Sequence, residues 1–170
     1  RAGGLEVQNH SFYGAELLEK VGLDPEKEHL AIANPLSEDL RYLRVNLLPR
    51  MLESVQTNAH IRTAATLYEV GHVYFADREV RQLGVVVYGG EDTYRRLRGV
   101  VDTLMTNLGI HWSGSLIEKN VDCEFWGMYA GDQALRIDIN GEIAGTIGIV
   151  DSAVCENFGI TTPVAFATIS

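Results

Sequence analysis

The segment from Asn34 to Leu52 constrains the fold of this 170-residue chain more than any other. Its Asn34-Pro35 step favours an extended or turn conformation, because the proline ring crowds the residue before it. Ser37, which two acidic residues follow, is a good first residue for a single helical turn. The segment therefore predicts a turn and a short helical turn ahead of a longer helix.

That longer helix is predicted from a cap and an apolar stripe. Asn46 can cap it, and Pro49 is tolerated in the first turn, where an amide has no partner within the helix. Apolar residues then recur at the spacing of one helix face, and the helix is predicted to run to about Asn58. The stripe consists of Leu48, Met51, Leu52, Val55 and Ala59.

Short strands and hairpins dominate the rest of the chain. Strands are predicted over 5–12, 30–33, 66–75, 82–88, 116–121, 134–139 and 142–150, and a last one follows Pro163. Gly71 indicates a bulge or a close approach within its strand, and Asn140-Gly141 is a strong hairpin signal. Because strands and helices do not alternate regularly, we predict an α+β fold, with an antiparallel or mixed sheet flanked by helices.

Three more helices are predicted from their end signals. One spans 15–21 and ends at Gly22, and one that Ser152 can cap is ended by Gly159. The longest begins at Asp92 or Thr93 and ends at Gly109. Its apolar face consists of Leu97, Val100, Val101, Leu104, Met105 and Leu108.

Length and composition are those of one globular domain. A chain of 170 residues with 46% hydrophobic content can bury one ordinary core. We interpret residues 1–170 as a single domain cut from a longer chain, because the sequence starts at Arg1 and stops at Ser170 inside an apolar run. The chain has no bilayer-length apolar run and no secretion signal, so we expect a soluble, cytoplasmic protein. Cys123 and Cys155 lack metal-ligand spacing and are predicted to be free thiols.

The charge distribution limits the possible partners. A net charge of -9 argues against a protein whose main role is to bind nucleic acid, and we expect neither DNA nor a membrane as a partner. Nine of the fourteen basic residues are arginines between Arg41 and Arg98. Arginine suits protein interfaces and ion pairs as well as RNA, so solvated salt bridges and a contact surface both remain open.

Few residues carry a signal for chemistry. The chain has neither a Walker pattern nor a Gly-x-Gly, and its five histidines lack metal-ligand spacing. Glu69 is different, because it lies between apolar neighbours in a predicted strand. We predict that it is partly buried and forms a structural ion pair with Arg44 or Arg62.

Five segments together resemble one known family. They are LEVQNHSF at 5–12, NPLSEDLRYLRVNLLPRMLESVQTN at 34–58, TLYEVGHVYF at 66–75, AGDQALRIDINGEIAGTIGIV at 130–150 and VCENFGI at 154–160. Their Asn-Pro-Leu-Ser, Leu-Arg and Leu-Leu-Pro elements resemble the β subunit of bacterial-type phenylalanyl-tRNA synthetase, in its catalytic-like domain. Glu69 and Gly71 occupy positions of the family's Phe-Glu-Ile-Gly. The chain departs from the family at 126–131, where His-Pro-Gly is usual, at Asp151-Ser152, where His-Pro is usual, and in a short loop after Tyr88.

The resemblance implies a class II aminoacyl-tRNA synthetase-like fold without catalytic, cofactor or metal residues of its own. In that family the α subunit activates phenylalanine with ATP and magnesium and charges tRNA(Phe), within an α2β2 assembly. Class II active sites hold ATP with an Arg-x-Glu strand and a later Gly-x-Gly-x-x-Arg element. Here Leu67 stands two residues before Glu69, and the second element is missing.

The resemblance thus implies a scaffold that contacts the α subunit. The candidate contact surface consists of Arg41, Arg44, Leu47, Leu48, Met51 and Leu52. In the alternative, the leucines form the domain's own core and only exposed arginines meet a partner. A rival interpretation is a small-ligand-binding regulatory domain, supported only by the aromatic residues Phe125, Trp126 and Tyr129. A third is that the chain itself aminoacylates tRNA.

Overall fold

A computed structural model describes residues 3–25, 27, 29–117 and 127–170. Within these residues, seven strands form one sheet and two short strands form another. No helix in this described part is both long and apolar enough to span a membrane. The strands are β1 (Leu5–Glu6), β2 (Phe12–Tyr13), β3 (Tyr42–Leu43), β4 (Ala65–Tyr74), β5 (Glu79–Tyr88), β6 (Trp112–Leu116), β7 (Tyr129–Ile139), β8 (Glu142–Val150) and β9 (Val164–Ile169).

The large sheet is mixed, and helices cover both of its faces. Its strand order is β1-β4-β5-β9-β8-β7-β6, with β1 parallel to β4 and every other neighbouring pair antiparallel. The helices are α1 (Ala15–Lys20), α2 (Leu48–Ala59), α3 (Thr93–Leu108) and α4 (Ser152–Asn157), with a 3-10 turn at Glu38–Leu40. Apolar residues of α1, α2 and α4 pack on one face, and those of α3 pack on the other. The predicted α+β architecture is confirmed.

The second half of strand β5, which lies between β4 and β9, is buried on both faces. Val86 and Tyr88 belong to the core under α2, whereas Val85 and Val87 belong to the core under α3. This split follows from the two-residue period of a strand, which points successive side chains to opposite faces. In the sequence, the continuous apolar run at 85–88 is typical of a strand covered on both faces.

Helix α2 begins and packs as its sequence predicts. The Oδ1 atom of Asn46 accepts a hydrogen bond from the amide of Leu48 at 2.7 Å, and Pro49 lies in the first turn. The predicted apolar face is buried at Leu48, Met51, Leu52 and Val55. Local sequence signals were sufficient to predict the start and the buried face of α2, because both the cap and the stripe depend on residues a few positions apart.

Two predicted strands are corrected. Residues 5–12 do not form one strand, because the segment leaves β1 after Glu6 and forms β2 only at Phe12–Tyr13, against β3. Residues 30–33 contribute only an isolated bridge between Ala31 and Tyr42. In the first segment only Leu5 and Glu6 pair with β4 and Phe12 with β3, and in the second only Ala31 pairs.

The later elements are confirmed with shifted ends. The Asn140-Gly141 hairpin forms with φ of 54° and 84°, as a two-residue turn of this type requires. The strand predicted at 116–121 is instead β6, at Trp112–Leu116, and residues 118–121 lie outside the described part. Helix α4 is capped by Asp151, whose Oδ1 accepts from the amide of Ala153 at 2.8 Å, and not by Ser152.

The apolar face of α3 is only partly buried. Leu97, Val101 and Met105 pack on the sheet, and Gly109 ends the helix with φ of 68°, as predicted. Leu108 was predicted to lie on this face, but it is 61% exposed because it stands in the last turn.

Candidate functional site

A buried ion pair joins the middle of β4 to the segment that leads into α2. The Nη1 atom of Arg44 lies 2.7 Å from Oε1 of Glu69, and the two side chains are only 3% and 2% exposed. The Nε atom of Arg44 also donates to the carbonyl oxygen of His72 at 2.8 Å. The structure thus brings Glu69 together with one of its two predicted partners.

Arg62, the other predicted partner, lies elsewhere. It is exposed in the turn after α2 and, among the described residues, forms no ion pair with Glu69. The prediction for Arg62 is therefore corrected. Arg44 reaches Glu69 because its backbone pairs with β4, where the amide of Tyr74 donates to the Arg44 carbonyl at 2.8 Å.

Gly71 allows the guanidinium group to lie flat on β4. The β4–β5 register is continuous through this residue, so it forms no bulge. A Cβ here would overlap Nη2 of Arg44 and would stand 3.1 Å from Oε1 of Glu69. Of the two roles predicted for Gly71, the close approach is the correct one.

Two further side chains complete the network. Asn9 donates from Nδ2 to Oε2 of Glu69 at 2.6 Å, and the hydroxyl of Ser54 donates to Oδ1 of Asn9 at 2.9 Å. The network therefore ties the N-terminal loop, α2 and β4 together. Sequence reasoning missed Asn9 and Ser54, because each is an ordinary polar residue within its own element.

This network has a structural consequence. A buried charge is costly unless it is paired and its remaining polar atoms are hydrogen-bonded. Here Arg44 has Glu69 and the His72 carbonyl, and both oxygens of Glu69 have a donor. Removal of Arg44 or Glu69 therefore leaves the other buried charge without its charged partner.

The predicted contact surface requires correction. Leu47, Leu48, Met51 and Leu52 are each 0% exposed and belong to the core between α2 and the sheet. Leu47 and Met51 lie directly over Gly84 of β5, where a Cβ would meet both side chains. These four residues are fully buried and Arg44 is only 2% exposed, which favours the alternative in which the leucines are the domain's own core.

The exposed part of the same segment lies before β3. Leu36 is 97% exposed, and the side chain of Arg41 is 47% exposed while it pairs with Glu38 at 2.8 Å. Arg41, which belongs to the predicted contact surface, and Leu36, which precedes it in the sequence, are therefore open to solvent.

The strand that holds Glu69 has no basic residue two positions before it. Leu67 stands at that position and is 0% exposed in the core under α2. Within the described residues, no three His, Cys, Asp or Glu side chains are grouped so that they could hold a metal ion.

Of the three aromatic residues predicted to support a ligand site, Tyr129 alone lies within the described residues. Phe125 and Trp126 lie outside the described residues, as does Cys123. Tyr129 is 4% exposed, and its hydroxyl lies 2.8 Å from Oγ1 of Thr146. Tyr129 is therefore a core residue and not an exposed ring.

Comparison with known structures identifies the fold. A pyrrolysyl tRNA synthetase from Desulfitobacterium hafniense superposes with a TM-score of 0.74, covering 98% of this chain and 60% of that chain. The two sequences are 14% identical, so the likeness concerns the fold alone. It confirms the predicted class II aminoacyl-tRNA synthetase-like architecture.

Comparison of sequences identifies the family. Two relatives named as phenylalanine–tRNA ligase β subunits are 31% identical over 147 residues, in Pyrococcus abyssi, and 32% identical over 167 residues, in Clostridium acetobutylicum. The matches cover 82% and 91% of this chain but only 25% and 20% of the relatives. The family described as the phenylalanyl tRNA synthetase beta chain CLM domain matches residues 1–170. The chain therefore belongs to the phenylalanyl tRNA synthetase beta chain CLM domain family.

Proposed function

We propose that this chain is a non-catalytic scaffold domain of a phenylalanine–tRNA ligase β subunit. It would hold the α subunit in an α2β2 assembly, in which the α subunit binds ATP and magnesium and charges tRNA(Phe). Membership of the family supports this assignment. Because the chain spans only about a quarter of the length of the curated relatives, the activity and partners of the whole protein are part of the proposal.

The observation that carries the proposal is that Glu69 on β4 and Arg44 pair with each other inside the domain. Charge that develops on a transferring phosphoryl group must be met by preorganised guanidinium groups or metal ions. Arg44 instead donates to Glu69 and to the His72 carbonyl, and Leu67 fills the position where an Arg-x-Glu strand carries its arginine. The site therefore supports a structural role for this strand better than ATP binding.

We place the contact with the α subunit on the exposed loop before β3. Leu36 is 97% exposed, and the side chain of Arg41, which follows in the same segment, is 47% exposed. An apolar anchor beside an arginine is typical of protein interfaces.

The test is association between full-length α and β subunits. Leu36→Ser combined with Arg41→Ala should weaken association by about tenfold or more, as expected when two interface side chains are truncated. Ile61→Ser is the matched control, since Ile61 is 79% exposed elsewhere on the surface. Wild-type affinity in the double variant would contradict the proposed contact.

The rival function, a small-ligand-binding domain, has lost part of its support. Of its three aromatic residues, Tyr129 is buried with its hydroxyl against Thr146. A thermal-shift screen separates the two proposals, because a ligand that binds only the folded state raises the melting temperature.

A further inference from the structure

An open cleft lined by two arginines lies between α3 and the edge of the large sheet. Its volume is about 540 Å³, and Arg62 and Arg96 supply its only charged side chains among the described lining residues. Thr66 and Thr103 also line it, and the hydroxyl of Thr103 donates to the carbonyl oxygen of Gly99 at 2.7 Å. A wholly basic cleft is unusual in a chain whose net charge is -9.

Unlike most of the other described arginines, these two have no carboxylate partner within the part of the chain that the structure describes. Among the described residues, neither Arg62 nor Arg96 forms an ion pair, and the same holds for Arg81 and Arg95. The remaining described arginines each pair with an acidic side chain: Arg41 with Glu38, Arg44 with Glu69, Arg50 with Glu53, Arg78 with Asp77, Arg98 with Asp102 and Arg136 with Asp138. The charge of the cleft is therefore not neutralised by contacts within the described chain.

Arg96 is held in position by the backbone. Its Nη1 atom donates to the carbonyl oxygen of Gly89 at 2.6 Å. Gly89 has φ of 64°, and a Cβ there would overlap the carbonyl oxygen of Thr63, so the loop that orients Arg96 requires glycine. One edge of the guanidinium group is thus fixed, which leaves the other edge to face a ligand.

A glycine in α3 forms part of the cleft wall. Gly99 lies in the middle of the helix and lines the cleft, although glycine weakens a helix relative to alanine. No atom of the described residues lies within 4 Å of the position that its Cβ would take, so packing against a described neighbour does not explain the residue. A longer side chain at this position would project into the cleft beside Arg96.

We propose that this cleft binds a phosphoryl group through the guanidinium groups of Arg62 and Arg96. Fork-shaped guanidinium groups bind phosphate oxygens in pairs, and such charge-assisted hydrogen bonds are stronger than neutral ones. The phosphoryl group comes either from the phosphodiester backbone of an RNA or from a small phosphate-bearing molecule.

The cleft is separate from the Arg44–Glu69 network. Thr66 lines the cleft, whereas Leu67 and Glu69 point to the opposite face of β4, because successive strand residues alternate. Binding in the cleft uses none of the residues of that network, so it is independent of the proposed scaffold role.

The test uses the full-length protein with two probes, inorganic pyrophosphate and a short labelled single-stranded RNA. Arg62→Gln removes one exposed charge, and Gly99→Glu places a carboxylate in the cleft at a position free of steric conflict. Arg81→Gln is the matched control, because Arg81 is also exposed and unpaired within the described residues but lies on β5, outside the cleft. Thermal unfolding of every variant shows whether the fold is kept.

We expect saturable binding of at least one probe, with affinity lowered by about tenfold or more in Arg62→Gln and in Gly99→Glu but unchanged in Arg81→Gln. Binding of RNA alone identifies the phosphodiester source, and binding of pyrophosphate alone identifies a small molecule. If neither probe binds, or if Arg81→Gln loses as much affinity as the cleft variants, the proposal is wrong. Activity of the synthetase is not measured, so failure here leaves the scaffold proposal standing.

Discussion

Gly71 lies directly beneath the guanidinium group of Arg44, so close that a Cβ at this position would overlap Nη2. This contact explains why a glycine stands within a ten-residue strand, where it lowers strand stability. The guanidinium group can lie flat on β4 only if the strand presents no side chain there. Arg44 and Gly71 therefore act as one unit that joins β4 to the start of α2.

Arg44→Ala should destabilise the domain by about 3–5 kcal/mol, because it leaves the buried carboxylate of Glu69 without its charged partner. Urea denaturation of the purified protein measures the change in the free energy of unfolding. Arg41→Ala is the matched control and should cost less than about 1 kcal/mol, since its pair with Glu38 is exposed. Equal, small losses in both variants would show that the Arg44 pair is not stabilising.

Gly71→Ala should also destabilise the domain, because the added methyl group displaces the guanidinium group from its contacts. Gly99→Ala is the matched control and should stabilise by up to about 1 kcal/mol, since it improves a helix without a clash. In an Arg44→Ala background the penalty at Gly71 should shrink, which a double-mutant cycle measures. An unchanged penalty would mean that the two residues are not coupled.

Leu52→Ala should cost about 2–5 kcal/mol of unfolding free energy, because Leu52 is fully buried between α2 and the sheet. Leu36→Ala should change stability by less than about 0.5 kcal/mol, since its side chain is 97% exposed. The pair tests the correction that places the α2 leucines in the core. A Leu52 variant with wild-type stability would contradict the placement of Leu52 in the core and would make it a candidate contact residue again.

The Cys155 thiol should stay protonated and unreactive in the folded protein. Burial raises its pKa from 9.0 to about 11, and the carboxylates of Asp151 and Glu156 add to the rise. The folded protein therefore holds this proton more tightly than the unfolded chain, so the associated stability is present below pH 9.0 and is lost as the pH rises towards about 11.

Alkylation followed by mass spectrometry of the Cys155 peptide measures this protection. We expect slow modification in buffer at about pH 8.5 and fast modification in denaturant, because only the thiolate reacts. The decline in stability above pH 9.0 should be smaller in Cys155→Ala. Equal alkylation rates in the folded and unfolded protein would contradict the assigned burial.

Features set by neighbouring residues were predictable from the sequence. The cap at Asn46, the stripe of α2 and the Asn140-Gly141 hairpin each depend on contacts within a few positions. Glu69 was also identifiable, because a lone carboxylate in an apolar strand requires a partner. The choice between Arg44 and Arg62 was not, since it depends on which of them the fold brings to β4.

Features set by long-range contacts were not predictable. The hydrogen bond from Ser54 to Asn9 joins residues 45 positions apart. Strand β9 pairs with β5 and β8 in the middle of the sheet, although the sequence indicated only that a last strand follows Pro163. The buried state of Leu47, Leu48, Met51 and Leu52 likewise depends on the strands beneath α2, because an apolar stripe fits a core and an interface equally well.

The most direct test of the central claim is phenylalanine-dependent ATP–pyrophosphate exchange by the full-length β subunit, purified without its α subunit. Arg44 and Glu69 pair with each other, and a leucine, Leu67, stands where a class II active site has an arginine. We therefore predict no exchange above background by the β subunit alone. Exchange should appear when the α subunit is added. Exchange by the β subunit alone that persists after contaminating synthetase has been removed would contradict the scaffold role.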